Sequence, residues 1–125
     1  MDERKRCARG MKVRREVLGD EHVDRSIASE NSFNAEFLDL ITRYAWGEIW
    51  TRPGLPRKTR SLITIGVMVA LNRLDELRLH LRAAANNGVT RREIQEVLLQ
   101  SAIYCGVPAA NTAFHIAEEE LAKKK

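Results

Sequence analysis

The chain has 125 residues, of which 44% are apolar, 30% are charged and 6% are aromatic. A chain of this length fits one ordinary domain with its own core, and so large an apolar fraction excludes an intrinsically disordered protein. The 21 basic residues exceed the 17 acidic residues, which gives a formal net charge of +4. A solvated surface of mixed charge explains this mild excess, so composition does not require a nucleic-acid partner.

The cysteines and the N-terminus exclude several other classes of protein. Cys7 and Cys105 lie far apart and neither belongs to a Cys-x-x-Cys pair, so we expect neither a disulfide scaffold nor a structural metal site. The chain is charged from residue 2, and its longest apolar stretch, residues 61–71, has about half the length that a bilayer requires. We therefore predict a cytoplasmic protein with no secretory signal and no membrane partner.

Helical periodicity runs through nearly the whole chain, and no segment alternates apolar and polar residues as strictly as a strand does. The first helix is predicted over about 3–18, with Gly19 just after its end, and His22 then lies in a charged connector. A second helix begins near Asn31 or Ser32. Its apolar face carries residues at helical spacing, namely Phe33, Phe37, Leu40, Ile41, Tyr44 and Ile49.

Residues 51–56 form a connector, because Pro53-Gly54 is typical of a turn and Pro56 suits the first position of the next helix. That third helix, over about 56–71, is apolar almost all round, so we expect it to be the central, buried helix.

Three more helices complete the predicted fold. Asn72 is the expected N-cap of the fourth helix, which ends at Gly88. Thr90 begins a capping box that opens the fifth helix, and Pro108 starts the sixth after a break at Gly106. The sequence therefore predicts an all-α, single-domain helical bundle of about six helices over residues 1–125.

The fourth helix combines an apolar face with charged residues and an imidazole. At about 100° per residue, Arg73, Glu76 and His80 share a strip along the rim of the face that carries Leu77. A carboxylate one helical turn from an imidazole favours the imidazolium, which suits a general acid or base in a partly dry cleft. The same spacing is also typical of an ordinary pair on an exposed helix surface.

Other residues carry weaker indications of a site. Arg60 opens the most apolar helix, where it can present its planar guanidinium to a carboxylate or pair with a neighbouring acid. Trp46 and Trp50, one turn apart, are typical of core or interface anchors. Cys105 is more typical of a small buried apolar residue than of a reactive thiol. No metal is predicted, because the histidines are scattered and Glu76 with His80 is an incomplete ligand set.

The order and spacing of several segments identify a family resemblance. One of them reads Asp75-Glu76-Leu77-Arg78-Leu79-His80, and the others cover residues 13–19, 44–55, 59–64, 86–90 and 104–114. In these segments the chain resembles the 4-carboxymuconolactone decarboxylases, which belong to the alkylhydroperoxidase-D-like (AhpD-like) superfamily. The resemblance implies an AhpD-like all-α fold. Redox members of that superfamily carry a Cys-x-x-Cys ahead of the histidine, and here Arg73 and Glu76 occupy those positions, which excludes thiol–disulfide chemistry by that route.

The resemblance implies a cofactor-free decarboxylation of 4-carboxymuconolactone or a related unsaturated lactone acid. It makes His80 the general acid that protonates the dienolate, and Glu76 the residue that orients it and raises its pKa. Arg60 and Arg73 are then the candidates for contacts to the substrate carboxylate and oxyanion, and Trp46 and Tyr104 for lining the pocket. It also implies a small dicarboxylate lactone as partner and a homo-oligomer, commonly of six copies.

Two other functions stay open on the sequence alone. A thiol-dependent peroxidase of the AhpD-like superfamily would use Cys105, although no resolving cysteine lies nearby. A nucleic-acid-binding module would use the basic segments, although no aromatic residues are interleaved with them as a stacking platform requires.

Overall fold

The computed structural model describes residues 2–123, and within that range all the regular structure is helical. The all-α prediction is therefore confirmed, although seven α-helices stand in this range where about six were expected. None of these helices combines the length and the apolar character needed to cross a membrane. The chain forms two compact units, Met1–Pro56 and Arg57–Lys125, which we call the first unit and the second unit. A single domain over residues 1–125 stays a prediction.

The first unit contains α1 (Glu3–Leu18), α2 (Asp20–Ala28), α3 (Ala35–Ile41) and a π-helix (Thr42–Ile49). The first of these begins as predicted, where the Asp2 side chain accepts a hydrogen bond from the backbone N–H of Lys5 at 2.8 Å.

The charged connector expected around His22 is in fact α2. Gly19 turns the chain at a positive φ of 92°, and its carbonyl then accepts from the N–H of Val23, so a new helix starts at once. Acidic Asp20 and Glu21 in the first turn suit a helix N-terminus. Charge alone therefore indicated the wrong structure here.

The second predicted helix starts later than expected, at Ala35. The Asn31 side chain accepts hydrogen bonds from the N–H groups of Phe33 and Asn34, and this asparagine turn competes with the helix. Its predicted apolar face is largely exposed within the described chain, where Phe33 is 97% exposed and Phe37 60%.

Two glycines let α1 and the π-helix approach to backbone contact. A Cβ placed on Gly10 would overlap the carbonyl oxygen of Thr42, and one placed on Gly47 would lie 2.5 Å from the carbonyl oxygen of Arg6. No larger residue fits either position without moving the backbone. We call this direct backbone contact at Gly10 and Gly47 the glycine crossing, and it determines how α1 packs against the π-helix.

The second unit contains α4 (Arg57–Leu71), α5 (Leu74–Ala83), a 3-10 turn (Ala84–Asn87), α6 (Arg91–Tyr104) and α7 (Val107–Ala122). The predicted capping box is present, because Thr90 and Glu93 exchange backbone-to-side-chain hydrogen bonds of 2.8 and 3.1 Å. Gly88 ends the preceding turn in the left-handed conformation, as expected.

Asn72 closes α4 and does not cap α5, so that prediction was wrong. Its φ is 57°, its N–H bonds to the carbonyl of Val69, and the N–H of Arg73 bonds to the carbonyl of Met68. This double hydrogen bond is the Schellman arrangement, in which asparagine tolerates the left-handed conformation. Arg73 consequently becomes the N-cap of α5.

All the major helices of the second unit contribute to its core. The buried cluster has its largest members at Ile65, Leu77, Leu81, Ile94, Leu98 and Ile116. The expectation that α4 is the central, buried helix holds for only one of its faces, because Ile63 is 50% exposed and Leu71 61%. Only the stripe that carries Ile65 and Val69 faces this core.

The glycine crossing gives a first prediction. Gly10→Ala should destabilise the protein by about 3 kcal/mol or more, because the new methyl group collides with rigid backbone and not with a side chain that can turn away. Urea denaturation monitored by circular dichroism measures the change. Gly54→Ala is the matched control, because nothing lies within 4 Å of its Cβ position, and it should change stability by less than about 0.5 kcal/mol. Equal stability of the two variants would contradict the close backbone contact at Gly10.

Candidate active site

Helix α5 carries the candidate acid–base pair at the edge of the face that bears its core residues. Leu77 and Leu81 are 0% and 1% exposed and lock one face into the core of the second unit. Glu76 lies in the first turn of α5 and is exposed, while His80 lies in the last turn and is half-buried. One helical turn separates the two side chains, so they lie side by side at the edge of the buried face.

Arg73 stands at the start of α5 and not within it. As the N-cap residue it has φ −95° and ψ 81°, which are not helical angles, and its carbonyl accepts the N–H of Leu77 at 2.8 Å. Because residue 73 is not helical, the predicted placement of Arg73 on one helical strip with Glu76 and His80 does not hold. Its side chain is exposed.

Arg60 belongs to the same helix hairpin as His80. Only two residues join α4 to α5, and α4 packs against both α5 and the 3-10 turn that follows it. Arg60 is half-buried near the start of α4, and its carbonyl accepts the hydroxyl of Thr64 at 2.8 Å. The next residue, Ser61, is 1% exposed, and its hydroxyl has no hydrogen-bond partner among the described residues.

Tyr104 lies at the end of α6 and is 83% exposed. Its ring lines an open, mainly apolar cleft of about 350 Å³ between α4 and α6, which Cys105 also lines. Cys105 is half-buried and is a free thiol. The side chain of Tyr104 is therefore accessible at the surface of the second unit.

Trp46 belongs to the first unit. It is 7% exposed, and its ring stacks on that of Trp50 with centroids 5.2 Å apart and planes inclined by 34°. This arrangement is that of a core anchor, as the spacing of the two tryptophans indicated. A contact between Trp46 and substrate stays a prediction.

A buried carboxylate on α7 that was not predicted from the sequence, Glu120, holds α5 in place. Glu120 is 1% exposed and accepts hydrogen bonds from Arg78 at 3.0 Å, Arg82 at 3.2 Å and Lys123 at 3.3 Å. The two arginines lie two residues before and two residues after His80, so the network fixes the segment that carries the imidazole. The position of Glu120 in the sequence could have indicated its burial. Glu120 follows the apolar Ile116 by one helical turn, which places both residues on the buried face of α7.

The charge of Glu120 is stabilised by these cations. Burial by itself raises the pKa of Glu120, but hydrogen bonds from Arg78, Arg82 and Lys123 outweigh the burial, so its pKa is lowered below the ordinary 4.5. Among residues 2–123 there is no group of three or more histidine, cysteine, aspartate or glutamate side chains that could hold a metal ion.

These features define a class of protein: an all-α chain in which one helix carries a Glu–His pair beside an apolar core, with an arginine in the same helix hairpin. The model of the carboxymuconolactone decarboxylase family matches residues 35–119 of this chain, a range that includes Glu76 and His80. The chain therefore belongs to the carboxymuconolactone decarboxylase family.

Individual relatives agree with this assignment. The chain is 56% identical over 119 residues to the 4-carboxymuconolactone decarboxylase of Acinetobacter baylyi, which covers 95% of this chain and 89% of that protein. It is 44% identical over 112 residues to the nitrosuccinic acid decarboxylase of Metarhizium robertsii, covering 90% of this chain and 78% of the relative. A 4-carboxymuconolactone decarboxylase sequence from Pseudomonas putida is 56% identical over 48 residues, covering 38% of this chain and 100% of that sequence.

The family resemblance seen in the sequence is thus confirmed, and with it the prediction of a decarboxylase. The peroxidase alternative is not favoured, because these three relatives are all named as decarboxylases.

The Glu120 network gives a second prediction. Glu120→Gln should lower the free energy of unfolding by about 2–3 kcal/mol at pH 7, because it removes a buried carboxylate that three cations share. Since its folded pKa lies below 4.5, the contribution is complete above pH 4.5 and is lost as the pH falls through the folded pKa. Urea denaturation between pH 3 and pH 7, a range that extends from below to well above the ordinary carboxylate pKa of about 4, measures both effects.

Glu119→Gln is the matched control for Glu120→Gln. Glu119 also accepts from Arg78, at 2.7 Å, but its side chain is 58% exposed, so its removal should cost less than about 0.5 kcal/mol. A pH dependence between pH 3 and 4.5 that is the same in wild type and Glu120→Gln would contradict the role of the network.

Proposed function

We propose that the protein is a cofactor-free carboxy-lyase that decarboxylates 4-carboxymuconolactone or a closely related unsaturated lactone acid. The observation that carries this proposal is the 56% identity to the decarboxylase of Acinetobacter baylyi over 95% of the chain. The position of Glu76 and His80 at the edge of the buried face of α5 supports it, because a general acid needs a partly dry site with access to substrate.

The substrates named for the relatives from Acinetobacter baylyi and Metarhizium robertsii have chemistry in common. Each carries two carboxylates, and in each compound one carboxylate is attached to a carbon from which electrons can reach a strong acceptor. That acceptor is the lactone carbonyl, through the ring double bond, in one case and a nitro group in the other. We infer that the site of this chain suits a small dicarboxylate with such an acceptor.

The proposed reaction has two steps. The bond between the ring carbon and the departing carboxylate breaks, carbon dioxide leaves, and the bonding electron pair moves through the ring double bond onto the lactone carbonyl oxygen. Hydrogen-bond donors stabilise the resulting dienolate oxygen. His80 then donates a proton to a ring carbon of the dienolate, whose electron pair forms the new carbon–hydrogen bond as the lactone carbonyl is restored. Water then returns a proton to the imidazole. Glu76, one turn earlier on α5, orients the imidazole and stabilises its cationic form.

Arg60 and Arg73 are the proposed contacts for the carboxylate that stays and for the developing oxyanion. The departing carboxylate should lie away from both arginines, because a salt bridge there stabilises the substrate more than the transition state. Trp46 and Tyr104 are the proposed aromatic walls of the substrate pocket.

A third prediction tests the acid. His80→Gln should lower kcat for decarboxylation of 4-carboxymuconolactone by about 100-fold or more, because the dienolate loses its proton donor. Glu76→Gln should cause a smaller loss of kcat, since the imidazole remains.

Arg60→Gln should raise KM more than it lowers kcat, because the carboxylate that Arg60 holds is bound in substrate and transition state alike. Loss of lactone absorbance and release of carbon dioxide are the two readouts.

Asp75→Asn is the matched control for the α5 variants, because Asp75 lies in the same first turn and is exposed. It should retain wild-type kcat. Absence of turnover by folded wild-type protein would remove the lactone as substrate, and full activity in His80→Gln would remove the proposed acid.

We further propose that the protein is a homo-oligomer, and six copies is the number that the family resemblance implies. Exposed apolar side chains in each unit support an assembly: Phe33 and Phe37 in the first, and Ile103, Tyr104 and Val107 in the second. A cytoplasmic location stays a prediction.

A fourth prediction follows from these side chains. Sedimentation velocity should give a mass several times the 14.2 kDa of one chain, and Phe33→Ser with Ile103→Ser should shift the protein toward smaller species. Arg92→Ser changes a side chain that is 70% exposed and polar, so it should leave the assembly unchanged. A monomeric wild-type protein would refute the assembly.

A further inference from the structure

The first unit contains a half-open cavity of about 220 Å³ that the proposed reaction does not use. Side chains from α1, α2 and α3 line it, together with residues at the ends of these helices. Part of the lining is apolar and comprises Met11, Ile27, Ala35 and Leu38. The volume lies below the range of about 300–1,000 Å³ that is typical of drug-sized ligands, so an occupant would be a small molecule.

A buried arginine lines this cavity without an acidic partner. Arg14 is 5% exposed, and one terminal nitrogen of its guanidinium, Nη2, donates a hydrogen bond to the Ser26 hydroxyl at 2.9 Å. Its Nε is buried and has no hydrogen-bond partner among the described residues. No carboxylate oxygen of residues 2–123 lies within 4.0 Å of the guanidinium.

The nearby charges do not neutralise Arg14. Burial lowers the pKa of Arg14, the neighbouring Arg15 lowers it further, and the more distant Glu30 carboxylate offsets only part of the two effects. Asp39 also lines the cavity, but its carboxylate is bound by the Arg43 side chain at 2.8 Å. A buried cation in such surroundings destabilises the fold unless an anion joins it.

We propose that the cavity binds a small organic monocarboxylate, whose carboxylate pairs with Arg14 and accepts a hydrogen bond from Ser26. The planar guanidinium is suited to a carboxylate, and the hydroxyl of Ser26 keeps its own proton to donate because it only accepts from Arg14. The apolar lining favours an organic acid over an inorganic anion. Glu30 and Asp39 disfavour a second negative charge on the ligand, which selects a monoanion over a dianion.

This site consists of first-unit residues and does not depend on the reaction proposed for Glu76 and His80. Its occupant and the substrate can therefore be tested separately. A protein that fails to decarboxylate the lactone can still bind the monocarboxylate, and the reverse also holds.

The first test is thermal unfolding in the presence of isobutyrate at constant ionic strength. Isobutyrate should raise the Tm of the wild-type protein along a saturating curve, because it binds the folded state alone. Isobutyramide, its uncharged analogue, should give no shift, and succinate, a dianion, should give a smaller one.

Arg14→Met should lose the isobutyrate shift. Without ligand its Tm should equal or exceed that of the wild type, because the variant replaces a buried cation that has no carboxylate partner by an apolar side chain of similar length. Arg15→Met is the matched control. Arg15 is the next residue of α1 but pairs with Asp20 and Asp24 at 3.0 and 2.9 Å, so this variant should keep the isobutyrate shift.

Cysteine labelling locates the binding without any substitution. Cys7 lines the cavity, whereas Cys105 belongs to the second unit and serves as an internal reference. Isobutyrate at ten times its Kd should slow alkylation of Cys7 by iodoacetamide about tenfold and leave that of Cys105 unchanged. Mass spectrometry of the digested protein reads both rates, and this measurement decides the question if Arg14→Met does not fold.

Three results would overturn the proposal. The first is a wild-type Tm, or a Cys7 labelling rate, that does not respond to isobutyrate. The second is a shift of equal size in Arg14→Met, and the third is a ligand-free Arg14→Met whose Tm lies below that of the wild type, since Arg14 would then be a structural residue. If a carboxylate from another copy of the chain fills the cavity, the wild type will not respond, which also overturns the proposal.

Discussion

Burial of Leu77 and Leu81 is the constraint on which the candidate site depends. A helix can present a chosen side chain at a fixed position only if the helix cannot rotate about its axis, and these two leucines are enclosed by the core of the second unit. Glu120 adds a polar restraint to the same helix through Arg78 and Arg82. The apolar contacts fix the rotation of α5 about its axis, and the ion pairs fix its position along α7. Glu76 and His80 are thereby held at the edge of the core.

The first unit is organised by a different constraint. Gly10 and Gly47 bring two helix backbones into direct contact, and Arg14, one turn after Gly10 on α1, is buried in the same unit. A buried guanidinium without a carboxylate is a costly arrangement, whereas Glu120 in the second unit is surrounded by three cations. One buried charge is thus satisfied inside the chain, and the other is the natural place to expect an external anion.

Local signals in the sequence were read correctly where they act over three or four residues. The capping box at Thr90, the left-handed Gly88 and the first helix all formed as predicted. Errors arose where two local rules compete. Asn72 is acceptable both as an N-cap and as a left-handed helix end, and the choice was made by hydrogen bonds to the preceding turn of α4.

The sequence by itself determined the helical class, the family and the spacing of Glu76 and His80, because periodicity, capping and motif order are properties of residues that are neighbours along the chain. Only the tertiary structure decided which apolar faces meet, because burial depends on residues distant in sequence. Ile65 is fully buried while Ile63, two positions earlier on the same helix, is half exposed. The same holds for Glu120 and Arg14: both look like surface charges in the sequence, and packing against other helices is what removes them from water.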